Sequence, residues 1–208
     1  MIKTIIWDWN GTLLDDLENN IEIVNIILSR RNLRLLTKDS YRRIFSFPVF
    51  DFYKKIGLDM EKETLAEISE EYMKLYSERF KYNRLNEGVE QILDDLKNRN
   101  IKSYILSATN HTDLKNQVDE MKITSCFKKI VGNTNIEGKS KIEKANELVK
   151  NEFIDPAETL VIGDTLHDLE VAESVKSNCV LLSSGHQQLQ SNGKYNLIDK
   201  LSDIYRYL

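Results

Sequence analysis

Three short apolar runs, at residues 4–7, 103–106 and 159–162, each stop at small or acidic polar residues: Asp8, Ser107 and the pair Gly163-Asp164. Such brief runs, rich in β-branched and aromatic residues, suit strands covered on both faces of a parallel sheet. Between and after them, residues 87–99, 114–121 and 142–150 carry apolar side chains at spacings of three and four, the period of an amphipathic helix. Strand alternating with helix predicts an α/β chain built on an open parallel sheet with helices on both faces. In such sheets ligands bind outside the carboxyl ends of the strands, where these polar residues stand.

Residues 16–83 break the alternation, because they read as helices with no strand between them. Leu17, Ile21, Val24, Ile27 and Leu28 make one apolar stripe, and Leu65, Ile68, Tyr72, Leu75 and Tyr76 make another. A helical hairpin packed on the sheet would show the same stripes. The insertion begins directly after the Asp8 loop, however, and is expected to stand as a helical cap over the strand ends. Residues 1–15 and 84–208 would then form a Rossmann-like core. Two prolines and eight glycines leave no flexible linker, so the insertion must be compact.

With 41% hydrophobic and 30% charged residues, the composition is that of a globular chain. The net charge of −4, with cations scattered among acids, argues against a nucleic-acid partner. Cys126 and Cys179 lie far apart in apolar surroundings, without the spacing of a zinc site, and read as buried, reduced thiols. The apolar start of the chain stops at an acid and resembles a buried strand more than a secretory leader. No apolar run is long enough to span a bilayer, so a cytoplasmic location with no membrane partner is expected.

The polar residues at the run ends form a chemical set. Asp8, followed by Trp9-Asn10-Gly11-Thr12, puts a carboxylate on a tight loop where Gly11 lets the backbone approach a phosphate. A carboxylate fixed there can attack phosphorus and form an aspartyl-phosphate. Taken alone, an Asp before Gly-Thr reads as turn chemistry. The second acidic element, Gly163-Asp164-Thr165-Leu166-His167-Asp168, places two carboxylates at a strand end and on the next helical turn. That arrangement suits Mg²⁺, a hard ion that takes oxygen ligands. Asp164 as a turn residue and Asp168 as a first-turn acid is the plainer alternative for that element alone.

Ser107, in Leu106-Ser107-Ala108-Thr109-Asn110, offers a hydroxyl to a phosphoryl oxygen, while Thr109 and Asn110 also fit as helix caps. In Gly138-Lys139-Ser140-Lys141, a lysine can neutralise the nucleophile and the phosphoryl oxygens. Lys141 is preferred to Lys139 because it abuts the helical pattern and projects from a fixed first turn.

These four elements, in this order over nearly the whole chain, resemble the haloacid dehalogenase superfamily, in the layout of its phosphoglycolate phosphatase-like branch. The resemblance implies Asp8 as nucleophile and metal ligand, Asp164 and Asp168 at a Mg²⁺ site with the backbone carbonyl of Asn10, and Ser107 and Lys141 on the transferring phosphate. Gly11, Thr12 and Ala108 complete the expected phosphate cradle. The implied reaction is hydrolysis of a phosphate monoester, a small phosphorylated metabolite, through phospho-Asp8.

One position departs from the pattern. Phosphatases of this family carry an Asp two residues after the nucleophile that protonates the leaving oxygen and then activates water; here Asn10 stands there. An amide does not titrate near neutrality, and loss of general acid–base help costs roughly 10²–10⁴-fold. Asn10→Asp is therefore expected to raise kcat, most of all on alkyl phosphates. Two other readings follow from the same position: a phosphonoacetaldehyde hydrolase-like enzyme using Lys54 or Lys55 for a Schiff base, or a phosphate and Mg²⁺ binder without turnover. Arg42, Arg43, Lys54 and Lys55 are placed near a substrate tail by the cap reading. Among the histidines, His167 and His186 read as loop or capping residues and His111 as a stand-in acid beside Ser107.

Overall fold

The computed structural model describes residues 1–133, 140–191, 193 and 195–208. In chain order it contains β1 (Thr4–Trp7), β2 (Leu14–Asp15), α1 (Leu17–Arg30), α2 (Lys38–Ile44), α3 (Val49–Lys55), α4 (Leu65–Arg79), β3 (Arg84–Leu85) and α5 (Val89–Asn98). There follow β4 (Lys102–Asn110), α6 (His111–Glu120), β5 (Lys129–Asn133), α7 (Lys141–Asn151), β6 (Thr159–Gly163), α8 (Leu166–Val175), β7 (Asn178–Leu182) and β8 (Asn196–Ile198).

Six strands form one parallel sheet in the order β5-β4-β1-β6-β7-β8. The chain builds outward from β1 through β4 to β5 and then crosses back to β6 on the other side of β1. That reversal opens a crevice at the carboxyl ends of β1 and β6. Register puts Trp7 opposite both Ile105 and Ile162, so Asp8 emerges level with the end of β6 and just before Ser107 of β4, which runs on to Asn110.

Both faces of the sheet are covered. Ile5 and Trp7 point into a core shared with Ile92 and Leu96 of α5 and Leu114 and Val118 of α6. Ile6, between them, points the other way, toward Ala145 and Leu148 of α7 and Val171 and Ala172 of α8. This alternation is the period-two signature of a strand, and burial on each side explains why every residue of β1 is apolar or a fully enclosed Thr. Burying one such Ile or Leu contributes about 1.5–3 kcal/mol, so the two cores hold the strand ends in place.

The helical segment between β2 and β3 contains α1 to α4 and no strand. Leu17, Ile21, Val24, Ile27 and Leu28 of α1 are all buried, as are Ile68, Leu75 and Tyr76 of α4, whereas Leu65 in the first turn of α4 is exposed. The α1 and α4 stripes face each other in the core that also reaches the sheet. Thr37 and Thr64 close capping boxes at the starts of α2 and α4, satisfying backbone donors that would otherwise be orphaned. The antiparallel β2–β3 pair, Leu14 with Leu85 and Asp15 with Arg84, brings the two ends of the segment together.

Neither described cysteine is in a disulfide; Cys179 is buried, but Cys126 is half-exposed, on a short 3₁₀ turn where its neighbours cannot enclose it. Among the described residues, no helix is long and apolar enough to cross a membrane.

Candidate active site

Asp8 follows the last residue of β1, and its backbone N–H continues the ladder by donating to the carbonyl of Ile162 at 2.8 Å. Across the crevice, β6 ends at Gly163 and delivers Asp164, while the first turn of α8 delivers Asp168. Ligand oxygens of Asp8, Asp164 and Asp168 lie within 4.8 Å of one another. Lys141, the first residue of α7, extends its Nζ between two of them, 2.5 Å from Oδ1 of Asp8 and 2.6 Å from Oδ1 of Asp168, with a side chain only 6% exposed. Ser140 fixes that lysine's backbone through a capping box with Glu143. Lys139 and Gly138 lie outside the described residues.

Each acid is held by its own surroundings. One oxygen of Asp168 takes Lys141 while the other accepts the backbone N–H groups of Asp164 and Thr165 and the Thr165 hydroxyl, so the acid caps its helix and anchors the lysine at once. Asp164 accepts Thr12 Oγ1 at 3.2 Å and the backbone N–H of His186 at 2.6 Å. Room for Asp164 depends on glycine: a Cβ on Gly11 would stand 2.4 Å from its Oδ2, and one on Gly185 2.3 Å from its Cβ. Gly163 plays the same part for Asp168, whose Cγ would meet an added Cβ at 2.1 Å.

Electrostatics sets these groups apart. Burial pushes Asp8 well above the usual carboxylate range, against the pull of Lys141 and with added repulsion from Asp168 and Asp164. Burial likewise raises Asp164 to about 6, opposed by the charge of His186. Burial would raise Asp168 too, but Lys141 and the Thr165 donors outweigh it and hold the acid below its ordinary value. For Lys141 the burial penalty is exceeded by its two carboxylate partners, and it stays an ammonium. Two of the three enclosed carboxylates, Asp8 and Asp168, share one ammonium, and all three offer oxygen, the donor type a hard divalent cation takes. The residues present therefore fit Mg²⁺.

Ser107, buried on β4, accepts the Thr109 backbone N–H at 3.1 Å, which leaves its own hydrogen to donate. Ala108 is exposed on the same strand end. The Thr12 hydroxyl and the Gly11 N–H, expected on a phosphate, turn elsewhere: Thr12 to Asp164, and Gly11, at φ +71, to Oδ1 of Asp16 at 2.9 Å. Ionised carboxylates are strong acceptors, and in this structure they take both donors.

Asn10 is locked in place. Its Nδ2 donates to Asp16 Oδ2 at 2.7 Å and to the Tyr76 hydroxyl at 2.9 Å, and its Oδ1 accepts Thr109 Oγ1 at 2.8 Å. Asp16, 1% exposed, also accepts from Gly11 N, Asn20 Nδ2, the Tyr76 hydroxyl and His186 Nε2. Burial would raise Asp16, but His186 and these donors hold it below its ordinary value; burial would lower His186, but Asp16 holds it above its own. Both shifts favour the carboxylate–imidazolium form of the pair, and the other ring nitrogen of His186 lies 3.0 Å from Tyr41 Oη.

The sequence reading gives Asp16, Tyr76, Tyr41 and His186 no part in the site. His186 is no mere loop residue: it is 4% exposed and touches Asp16, Tyr41 and Asp164. A signal existed, for Gly185-His186 lies just beyond Cys179–Leu182, a fourth apolar run that is strand β7. By contrast, His111 uses Nδ1 to accept Gly132 N–H at 3.3 Å, and His167 pairs with Glu170. The expected cationic tail site is also dispersed. Arg42 donates to the carbonyls of Gly185 and Ser183, Lys54 lies over the Phe50 ring at 4.5 Å, and Lys55 donates to Ser46 Oγ at 2.9 Å.

Comparison with known proteins bears on this arrangement. A phosphoglycolate phosphatase of Synechococcus elongatus is 23% identical over 190 residues, covering 91% of this chain and 88% of its own. The crystal structure of a protein described as a predicted phosphatase from Clostridium acetobutylicum superposes with a TM-score of 0.83 at 19% identity, covering 100% of this chain and 98% of that one. CbbY from Rhodobacter sphaeroides, solved in complex with phosphate, gives a TM-score of 0.75 at 15% identity, covering 98% and 96%. The family model of haloacid dehalogenase-like hydrolases matches residues 5–182, which include every acid of the Asp8–Asp164–Asp168 cluster, and the chain belongs to that family.

Proposed function

We propose that this chain is a Mg²⁺-dependent phosphatase that takes phosphate from a small organic phosphate onto Asp8. The observation that carries the reading is the Lys141 bridge between Asp8 and Asp168 beside Asp164 at the crevice. Lys141 holds the Asp8 oxygen in one orientation and offsets the charge of an approaching phosphoryl group, so that attack on phosphorus is not opposed by two facing anions. Ser107 donates to a phosphoryl oxygen. An Asp8 oxygen bonds to phosphorus as the bond from phosphorus to the substrate's oxygen breaks, giving phospho-Asp8, and water then bonds to phosphorus as the bond to Asp8 breaks, releasing phosphate. Asp8, Asp164, Asp168 and the Asn10 carbonyl would hold Mg²⁺, which when bound neutralises phosphoryl oxygens as charge shifts toward the leaving group.

On this reading the helical segment, residues 16–83, is a cap over the crevice, with Tyr76 of α4 and Tyr41 of α2 reaching into its polar network. The phosphoglycolate phosphatase of Synechococcus elongatus makes phosphoglycolate one compound to include in the screen. A Schiff base on Lys54 or Lys55 finds no support, since both are exposed and a lysine needs burial to become a nucleophile near neutral pH. The test is a screen of phosphorylated metabolites with Mg²⁺, following phosphate release. Release by the wild type that disappears in Asp8→Asn protein supports the reading, and release that persists in that variant overturns it.

A further inference from the structure

Protonating a departing oxygen requires an acid whose proton is not already directed to a better acceptor. Around the nucleophile, the Ser107 hydroxyl is left for a phosphoryl oxygen, and every other protic side chain described in contact with the site, the strongly basic Lys141 ammonium aside, sends its hydrogens to partners within it. Both amide hydrogens of Asn10 are taken, one by Asp16 and one by Tyr76, and an amide nitrogen has no third. The acceptor-only Asp16 carboxylate fixes that orientation, because a flipped amide would put oxygen against oxygen. Thr109 donates to Asn10, Tyr76 to Asp16 and Thr12 to Asp164, and both ring nitrogens of His186 are occupied, by Asp16 and Tyr41. Lys141 lies between Asp8 and Asp168. Asp16 cannot serve either, being a buried carboxylate already accepting from Asn10, Gly11, Asn20, Tyr76 and His186.

From this closed network we infer that the site acts on phosphates whose leaving group departs as a stable anion without protonation: acyl phosphates, aryl phosphates and phosphoric anhydrides, in preference to alkyl monoesters. The inference rests on the phosphatase reading. In the first step an Asp8 oxygen bonds to phosphorus, and the bond from phosphorus to the leaving oxygen breaks with its electron pair. The carboxylate, phenolate or phosphate so formed needs no proton. In the second step water bonds to phosphorus, the phosphorus–Asp8 bond breaks with its pair returning to Asp8, and the surplus proton passes to solvent or to the released phosphate. Alkyl phosphates fail at the first step, because an alkoxide would have to leave unprotonated.

The test uses the full chain with Mg²⁺ and a panel of acetyl phosphate, p-nitrophenyl phosphate, pyrophosphate, glycerol 3-phosphate and phosphoglycolate. Rates of phosphate release are plotted against the acidity of the leaving group, with Asp8→Asn as control. The expected result is a steep dependence, with kcat on acetyl and aryl phosphates about 10²–10⁴-fold above that on alkyl phosphates. His111→Gln is expected to leave that slope unchanged. Equal kcat on alkyl and acyl phosphates, both lost in Asp8→Asn, overturns the inference while leaving the phosphatase reading intact. A slope that steepens in His111→Gln also overturns it, by showing that His111 supplies the proton. No Asp8-dependent release from any of the five overturns both readings.

Discussion

Lys141 and Asp8, 133 positions apart in sequence, meet at 2.5 Å with the lysine side chain almost wholly enclosed. Two facts about the chain make the contact: Asp8 leaves the innermost strand of the sheet, and Ser140 caps α7 so that Lys141 occupies its first turn.

Removing the ammonium leaves Asp8 and Asp168 facing each other without a counter-charge. Lys141→Ala is expected to lower kcat by roughly 10²–10³-fold, the scale of losing one fixed electrostatic partner in the transition state. Lys141→Arg should recover little, because a planar fork does not fit between two oxygens that a compact ammonium bridges. Steady-state kinetics beside a thermal melt checks this; kcat unchanged in a folded Lys141→Ala protein refutes the assignment.

Burial places Asp164 at about 6, above its ordinary 3.8, and Asp8 well above that same ordinary value. In the metal-free chain these two acids bind protons more readily folded than unfolded, so their contribution to stability is present below the ordinary carboxylate value and is lost, for Asp164, as pH rises through about 6. A divalent cation reverses this, since it favours the anions that burial opposes. The rise in Tm on adding Mg²⁺ is expected to be small at pH 5 and larger at pH 8, and Asp164→Ala should abolish most of it along with Mg²⁺-dependent activity. A Tm response equal at both pH values, or retained in Asp164→Ala, places the cation elsewhere.

Gly185 tests the packing argument without touching charge. A Cβ there would stand 2.3 Å from both Cβ and Oδ2 of Asp164, and the Asp164 backbone cannot yield without shifting β6. Gly185→Ala is expected to displace Asp164, losing at least tenfold in apparent Mg²⁺ affinity and about 1–3 kcal/mol of stability from overpacking. Titration of activity with Mg²⁺ and a denaturant melt measure the two effects. Gly193→Ala, whose Cβ would meet nothing within 4 Å, is the comparison for Mg²⁺ affinity, which it should leave unchanged even though its backbone at φ +73 makes the substitution strained.

The sheet was legible because burial on both faces writes itself into continuous apolar runs, as at β1 and β6, where the expected and observed strands agree to within a residue. Strand β5 escaped notice since Lys129, Gly132 and Asn133 dilute its apolar pair, and β8 since it has three residues. Asp8, Asp164, Asp168 and Lys141 could be read because each follows a strand end or opens a helix. The Asp16–His186 contact could not, because no local pattern reports a pairing across 170 positions. For the same reason the hydrogen bonds of Gly11 to Asp16 and of Thr12 to Asp164 could not be read from the loop itself.

That contact also revises what Asn10→Asp would do. From sequence the substitution restores a missing acid; in the structure position 10 is not a vacated acid site, since its side-chain nitrogen stands 2.7 Å from Oδ2 of the buried Asp16. A carboxylate there would face another with no water between to screen them, and Tyr76 would lose a donor. Asn10→Asp is expected to cost about 3–5 kcal/mol at pH 8, the scale of an uncompensated buried charge. The sign with pH follows: repulsion raises the new acid above its unfolded value, so stability is kept at low pH and lost as pH rises through the folded value. Asp16→Asn in the same chain removes the repulsion and supplies an amide facing the new carboxylate. The double variant should regain more than half of the lost stability at pH 8, although Asp16→Asn alone is also destabilising because His186 loses its anion. Denaturant melts of the four proteins at pH 5 and pH 8 complete the cycle. A coupling energy near zero, or an Asn10→Asp protein as stable as the wild type at pH 8, would show that Asn10 and Asp16 are not a matched pair.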